Sequence, residues 1–421
     1  MEEKIGETLF SRVFNNLKTS RERVISGKIN CIPNPFKRFS EEFAGIERGR
    51  YYNITGQTKS GKSKFSYYFF IFKPLMYALE NPEKMRMKAF IFSLEISQED
   101  LYQEFVCYLL YVLSRGKYRI SPRDLRSTNS EHPVDMEILN ILQTDEYQRY
   151  LMFFEENVKI IDSIRNPTGI FRFMKDYAAI KGKQHKKIIN FVNNETKEIT
   201  PKEVDDYYEP FDEDEYVFCM IDHISLIQSE ATNGKPLTLQ ESMVKLSSDY
   251  LVSLRNKYKY IPVVIQQQSI QGQSIENVKM GKLKPSVADL GDSKVLARDC
   301  DVMLGIFSPF QQELQSYLGY DISKMRDNAR FVEVIISRSG GAGSIVPLAF
   351  DGCTNFFSEL PLPNDSIGIA KVYSMLDSIR QPKKVAMFLF KNDELKEKGK
   401  NLWQKLLAFL GCQAKEKQRV Q

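Results

Sequence analysis

From residue 49 onward, short apolar runs alternate along the chain with stretches whose apolar positions recur every three or four residues. The short runs predict strands over 51–55, 89–92, 158–162, 217–222, 261–265 and 300–307. The periodic stretches predict helices between them: one through residue 79, one bearing Leu101, Phe105, Leu109 and Val112, and one bearing Met243, Leu246, Tyr250, Leu254 and Tyr258. The second has a start signal, Ser97 with Asp100 three residues on. Residues 217–222, Val-Phe-Cys-Met-Ile-Asp, form an unbroken apolar run ending in an acid, the pattern of a central parallel strand covered on both faces. Strands alternating with helices predict an α/β fold built on a mostly parallel central sheet. Residues 331–350 read as a hairpin turning at 339–343.

Other segments are less regular. Residues 5–28 predict a helix with Leu9, Val13, Leu17 and Val24 on one side, followed by an irregular connector over 29–35. Between 116 and 158 the periodicity fades. Residues 181–215 read as a surface insertion, basic over 181–187, turning near Asn193-Asn194 and acidic over 205–215. Near the end, Leu402, Trp403, Leu406, Leu407, Phe409 and Leu410 form an apolar stripe between lysines, either a core-packing helix or a docking helix for a partner.

With 42% hydrophobic and 27% charged residues in 421, the chain is neither collagen-like, wholly disordered nor a disulfide miniprotein. The net charge of +5 permits a polyanionic partner without requiring one. Six cysteines without a C-x-x-C pair and three scattered histidines indicate neither a zinc site nor a disulfide framework. The opening Met1-Glu2-Glu3-Lys4 lacks a signal-peptide layout, and the apolar run 65–79 is broken by Lys73-Pro74. A cytoplasmic protein with reduced thiols and no membrane partner is expected.

The sharpest chemical signal is Gly56-Gln57-Thr58-Lys59-Ser60-Gly61-Lys62-Ser63, a phosphate-loop pattern set between a predicted strand and a predicted helix. Glycines let the backbone wrap a phosphate chain, the helix N-terminus adds positive charge, Lys62 reaches the outer phosphates and the Ser63 hydroxyl holds Mg²⁺. Such a site needs an acid at a buried strand end to position the metal, and Asp222 is placed for it. It also needs a base to orient the attacking water, and Glu95 follows strand 89–92.

Five ordered segments now make the chain similar to a known family. Phe92-Ser-Leu-Glu-Ile-Ser97 resembles the F-S-L-E-M-S segment of DnaB-type replicative helicases, and Met220-Ile-Asp-His-Ile-Ser-Leu-Ile227 resembles their Walker B strand. Ile261-Pro-Val-Val-Ile-Gln-Gln-Gln268 resembles the sensor strand, 286–293 with Asp299-Cys-Asp-Val302 resemble the next segments, and 334–338 with 348–352 bracket a hairpin like the family's last. The resemblance, spanning about 30–355, implies a RecA-like P-loop core and a ring, here a homo-hexamer. It further implies translocation on single-stranded DNA, driven by hydrolysis of ATP or another NTP with Mg²⁺, to open a forked duplex. It makes Glu95 the catalytic base and Gln268 the γ-phosphate sensor. The loop 269–298 would carry DNA contacts through Lys279, Lys282, Lys284, Lys294 and Arg298, or present them as a solvated surface. A primase, loader or polymerase is the expected partner, and a phage replisome the expected setting.

Two positions depart from the family. The last hairpin normally carries K-x-R, whose arginine reaches the neighbouring subunit's nucleotide; here those positions are Arg338 and Gly340. Either Arg338 supplies the cation from the lysine position, or hydrolysis between subunits is weak. The family's N-terminal helical domain also has no counterpart before residue 48, and residues 5–28 resemble the linker helix that packs on the adjacent subunit, or else cover their own core. The expected organisation is a linker helix and connector over 1–48, a RecA-like core over 49–360 and a helical appendage over 361–421. A RecA-type recombination ATPase forming filaments, and a hydrolysis-deficient accessory ring subunit, are the alternatives.

Overall fold

The computed structural model describes residues 9–192, 199–232, 234–268 and 284–380. Nine strands build its main sheet: β1 (Tyr52–Gly56), β2 (Arg86–Ser93), β3 (Val158–Ile161), β4 (Glu215–Asp222), β5 (Ile261–Gln267), β6 (Val302–Phe307), β7 (Ala329–Ser337), β8 (Ile345–Asp351) and β9 (Phe356–Glu359). Their order is β9-β8-β7-β6-β1-β5-β4-β2-β3. The six from β6 to β3 are mutually parallel, and β7, β8 and β9 extend the sheet antiparallel from β6.

Side-chain alternation divides each central strand between two cores. On β4, Tyr216, Phe218 and Met220 face one apolar layer, while Val217, Cys219 and Ile221 face the other. On β2, Met87, Ala89 and Ile91 oppose Phe90 and Phe92 in the same way. The first layer is covered by the helical stretch 62–80 and helix Gln98–Leu113, the second by helix Pro167–Lys181 and the helical stretch 239–258. With apolar partners on both sides, the middles of these strands, 89–92 on β2 and 217–221 on β4, carry no charged residue. Residues Tyr67–Phe72, wound as a π-helical segment within 62–80, are all buried.

Several elements escaped the periodicity. Cys31–Pro33 pairs antiparallel with Gly45–Glu47, so part of the predicted connector is strand, and Ile32, Phe36, Phe39, Phe43 and Ile46 join the first core. Between 116 and 158 the chain forms helices Pro122–Leu125, Met136–Leu142 and Asp145–Asn157; the first two are too short to display a period and are set by local caps from Ser121 and Asp135. The insertion is an antiparallel hairpin, Gly182–Val192 against Ile199–Pro210. Its basic and acidic tracts face each other, with Lys186 on Glu203 and Lys187 on Asp206, each at 2.8 Å. The expected turn at Asn193-Asn194 lies outside the described residues, as does the stripe 402–410.

Helix Leu9–Ile25 exposes Phe10, Val13, Phe14, Leu17 and Val24, and so does not cover the chain's own core. Its end is tied down where Arg23 and Lys28 grip the two oxygens of Asp214 at 2.7 and 2.6 Å. Helix Ser366–Arg380 packs Val372 and Leu376 against Phe307, Phe331 and Leu360. Among the described residues no helix is long and apolar enough to cross a membrane, and His, Cys, Asp and Glu form no metal-binding group of three or more.

Candidate active site

The carboxyl ends of parallel strands gather loops at one edge of such a sheet. Here β1 delivers the phosphate loop, β2 the turn holding Glu95, β4 Asp222 and β5 Gln268. The loop's path requires its glycines. A Cβ on Gly56 would lie 2.8 Å from the Ile306 carbonyl, and Gly61 has φ +91°. Lys59 takes φ 62°, so Ser60 is flanked by two left-handed residues. The helical stretch 62–80 begins immediately after, its first amides facing the loop.

Four sequence-predicted residues converge. The Ser63 hydroxyl donates to Asp222 Oδ1 at 3.2 Å. Lys62 is buried, and desolvation lowers its pKa while Glu95 and Asp222 pull it back up, which places both carboxylates in its electrostatic neighbourhood. Glu95 itself is exposed at the mouth of the site. Its turn is pinned on both sides: the Leu94 amide donates to the Asp222 carbonyl at 2.7 Å, Arg165 donates to the Leu94 carbonyl at 3.1 Å, and Ser93 Oγ donates to the Ile96 carbonyl at 2.6 Å.

Gln268 is held by its backbone, whose amide donates to the Gly56 carbonyl at 3.1 Å, while its side chain donates to the Ser286 carbonyl at 3.4 Å. The neighbouring Gln267 donates its side-chain amide to Thr58 Oγ1, and Gln312 donates to Gln57 Oε1. Glutamines from β5 and from the turn after β6 therefore bracket the phosphate loop. Neither Gln267 nor Gln312 was legible as a site residue, because both contacts join positions more than 200 apart in sequence.

Two further residues shape the acid. Tyr67 donates its hydroxyl to Asp222 Oδ2, and His223, next in sequence, is buried with Nδ1 lacking a partner. Ser63 and Tyr67 are four apart on one helical stretch and so share a face, a signal the sequence did carry. Burial pushes the Asp222 carboxyl up to about 6, against the Tyr67 and Ser63 hydroxyls, which lower it.

No protein-family model and no curated protein matches this sequence. Among solved structures, an isolated ATPase domain is similar with a TM-score of 0.53 at 16% identity, covering 82% of this chain and 97% of that one. A DnaB-like replicative helicase, described with its interactions with primase, is similar with a TM-score of 0.54 at 16% identity, covering 85% of this chain and 68% of that one. The chain has the RecA-like fold of DnaB-type ATPase domains.

Within this DnaB-type fold, Arg338 sits at the edge away from its own phosphate loop. Val302 pairs with both Ser337 and Tyr52, whereas Ile306 pairs with Gly56, so four strand residues separate the two levels, about 13 Å. Its guanidinium is half exposed and rests on the Arg298 carbonyl at 2.8 Å. Gly340 has φ +101°, a conformation an arginine would adopt only under strain. Of the loop cations, Lys284 is engaged by Glu333 at 2.9 Å, Lys294 and Arg298 are exposed, and Lys279 and Lys282 lie outside the described residues.

The raised Asp222 carboxyl has a measurable consequence. The folded protein holds the Asp222 proton more tightly than the unfolded chain does. Stability from this group is therefore full below about pH 4 and is lost as pH rises through 6, by on the order of 2–3 kcal/mol. Asp222→Asn, neutral at every pH, is expected to melt a few degrees above the wild type at pH 8 and to show no advantage at pH 4, as read by calorimetry.

Proposed function

We propose that this protein is a ring-forming NTPase, a homo-hexamer that couples Mg·NTP hydrolysis to movement along single-stranded DNA and to opening of a forked duplex. The convergence of Lys62, Ser63, Asp222 and Glu95 at one sheet edge carries this reading. The residues fit a phosphate and a divalent cation: Gly56 and Gly61 leave a backbone cradle, the buried Ser60 hydroxyl lacks a partner, and a hydroxyl and a carboxylate meet at Ser63 and Asp222. Bound Mg·NTP supplies the phosphoanhydride bond to be cut and a cation that neutralises the developing charge.

The chain's own groups divide the remaining work. Lys62, largely withdrawn from solvent, neutralises the outer phosphates more strongly than a solvated lysine could. Ser63 and Asp222 hold the metal, directly or through water. Glu95 accepts the proton of the attacking water from a turn already fixed by three hydrogen bonds, so little reorganisation is needed at the moment of reaction. Gln268, with Gln267 beside it, reports loss of the γ-phosphate to the segment that follows β5.

In the ring, helix 9–25 lays its apolar face on the neighbouring copy, and Arg338 reaches the neighbour's nucleotide. Lys279, Lys282, Lys284, Lys294 and Arg298 contact the DNA backbone. Residues 361–421 form an appendage, and a primase, loader or polymerase docks on the assembly. The glycine at 340 favours a second reading, an accessory ring subunit with little hydrolysis of its own.

The test is ATP hydrolysis with and without single-stranded DNA, together with strand displacement on a forked substrate. DNA-stimulated turnover and displacement are expected; neither would appear if the accessory reading holds. Arg338→Ala is expected to lower hydrolysis about 10³-fold or more in the assembled ring and to leave dilute subunits unchanged. Equal rates for variant and wild type in the ring would remove Arg338 from the mechanism.

A further inference from the structure

Arg330 on β7 is among the largest fully buried side chains, with 1% of its surface exposed. A buried guanidinium needs a compensating set of acceptors, and this one has four. Nη1 donates to the carbonyls of Asp327 at 2.7 Å and Ala329 at 2.9 Å, and Nη2 donates to Asp327 Oδ1 at 2.9 Å. Those three partners are local. The fourth bond runs from Nε to the carbonyl of Ser60, in the middle of the phosphate loop, at 2.7 Å.

The surroundings fix the guanidinium from the other side. It lies over the Phe350 ring, 4.6 Å from the centroid. A Cβ on Gly61 would come within 3.3 Å of Nε, so the glycine leaves room for the cation as well as for the loop's left-handed turn. Ser60 stands between Lys59 and Gly61, both left-handed, and its carbonyl is the point at which the loop's path can be held from below. Burial lowers the Arg330 pKa while Asp327 raises it.

We propose that Arg330 is a positioning residue for the phosphate loop: it grips the Ser60 carbonyl from β7 and holds the loop backbone in its phosphate-receiving shape before any ligand arrives. This rests on the nucleotide reading of the site and adds a residue outside the loop motif. The same strand ends at Ser337, one residue before Arg338, so one β-strand joins the floor of a subunit's own loop to the hairpin that carries Arg338.

The test compares wild type with Arg330→Met, which keeps the bulk over Phe350 and removes the donors, and Arg330→Lys, which keeps the charge but not the fork. Asp327→Ala, at an exposed partner, serves if Arg330→Met fails to fold, and Leu376→Ala provides a packing loss remote from the loop. Backbone amide exchange over 57–63 is expected to accelerate about tenfold or more in Arg330→Met, less in Arg330→Lys and Asp327→Ala, and not at all in Leu376→Ala. Affinity for the non-hydrolysable analogue AMP-PNP is expected to fall by about the same factor, in the same order of variants. Exchange over 57–63 unchanged in Arg330→Met, or in Asp327→Ala where the first does not fold, overturns the proposal. If wild type binds no AMP-PNP, the nucleotide reading fails, and exchange alone still decides whether Arg330 holds the loop.

Discussion

Glu95→Gln is expected to bind nucleotide as the wild type does and to turn it over about 10²–10⁴-fold more slowly. The amide is the same size and keeps the exposed position, so the turn pinned through Leu94 and Ser93 survives. What disappears is the capacity to accept a proton from water. Loss of one carboxylate beside Lys62 and Asp222 also removes a repulsion from the incoming phosphates, so affinity should hold or rise. Binding of a fluorescent ATP analogue and steady-state phosphate release separate the two effects. Turnover within twofold of wild type would exclude Glu95 as the base.

Lys62→Ala strikes binding and turnover together. The ammonium is largely desolvated and feels the charges of Glu95 and Asp222, and without it the site presents those carboxylates to a polyanion with one cation fewer. Removing one preorganised donor from such a site costs about 10²–10³-fold in rate, and the loss of a desolvated charge adds a comparable penalty in affinity. The melting temperature should change little or rise, since the lysine is destabilised by its own desolvation. Unaltered ATP affinity in a folded Lys62→Ala variant would mean that the loop does not hold phosphate.

Much of the site was readable because its parts are local. The loop needs glycines and a lysine in fixed order, Asp222 ends an unbroken apolar run, and Ser97 with Asp100 marks the helix after Glu95; each signal spans fewer than ten residues. The hairpin 182–210 was likewise signalled by the turn residues Asn193-Asn194, whereas its charge tracts read only as a surface insertion. Short helices between 122 and 142 and the three-residue strand at 31–33 were not, since neither is long enough to repeat a pattern. Helix 9–25 showed its apolar positions, but whether they covered the chain's own core was settled only by the exposure of Phe10, Phe14 and Leu17.

By itself the sequence determined the α/β alternation, the parallel sheet and the position of the glycine-rich loop between strand and helix, because these follow from side-chain periodicity and from short-range backbone requirements. Only the tertiary structure decided which groups touch that loop. Gln267, Gln312 and Arg330 come to it from strands and turns more than 200 residues away, and Arg338 is carried to the opposite edge by the antiparallel run of β7. Contacts of that kind are set by strand order and register, which place distant residues side by side without leaving a pattern in the neighbouring sequence.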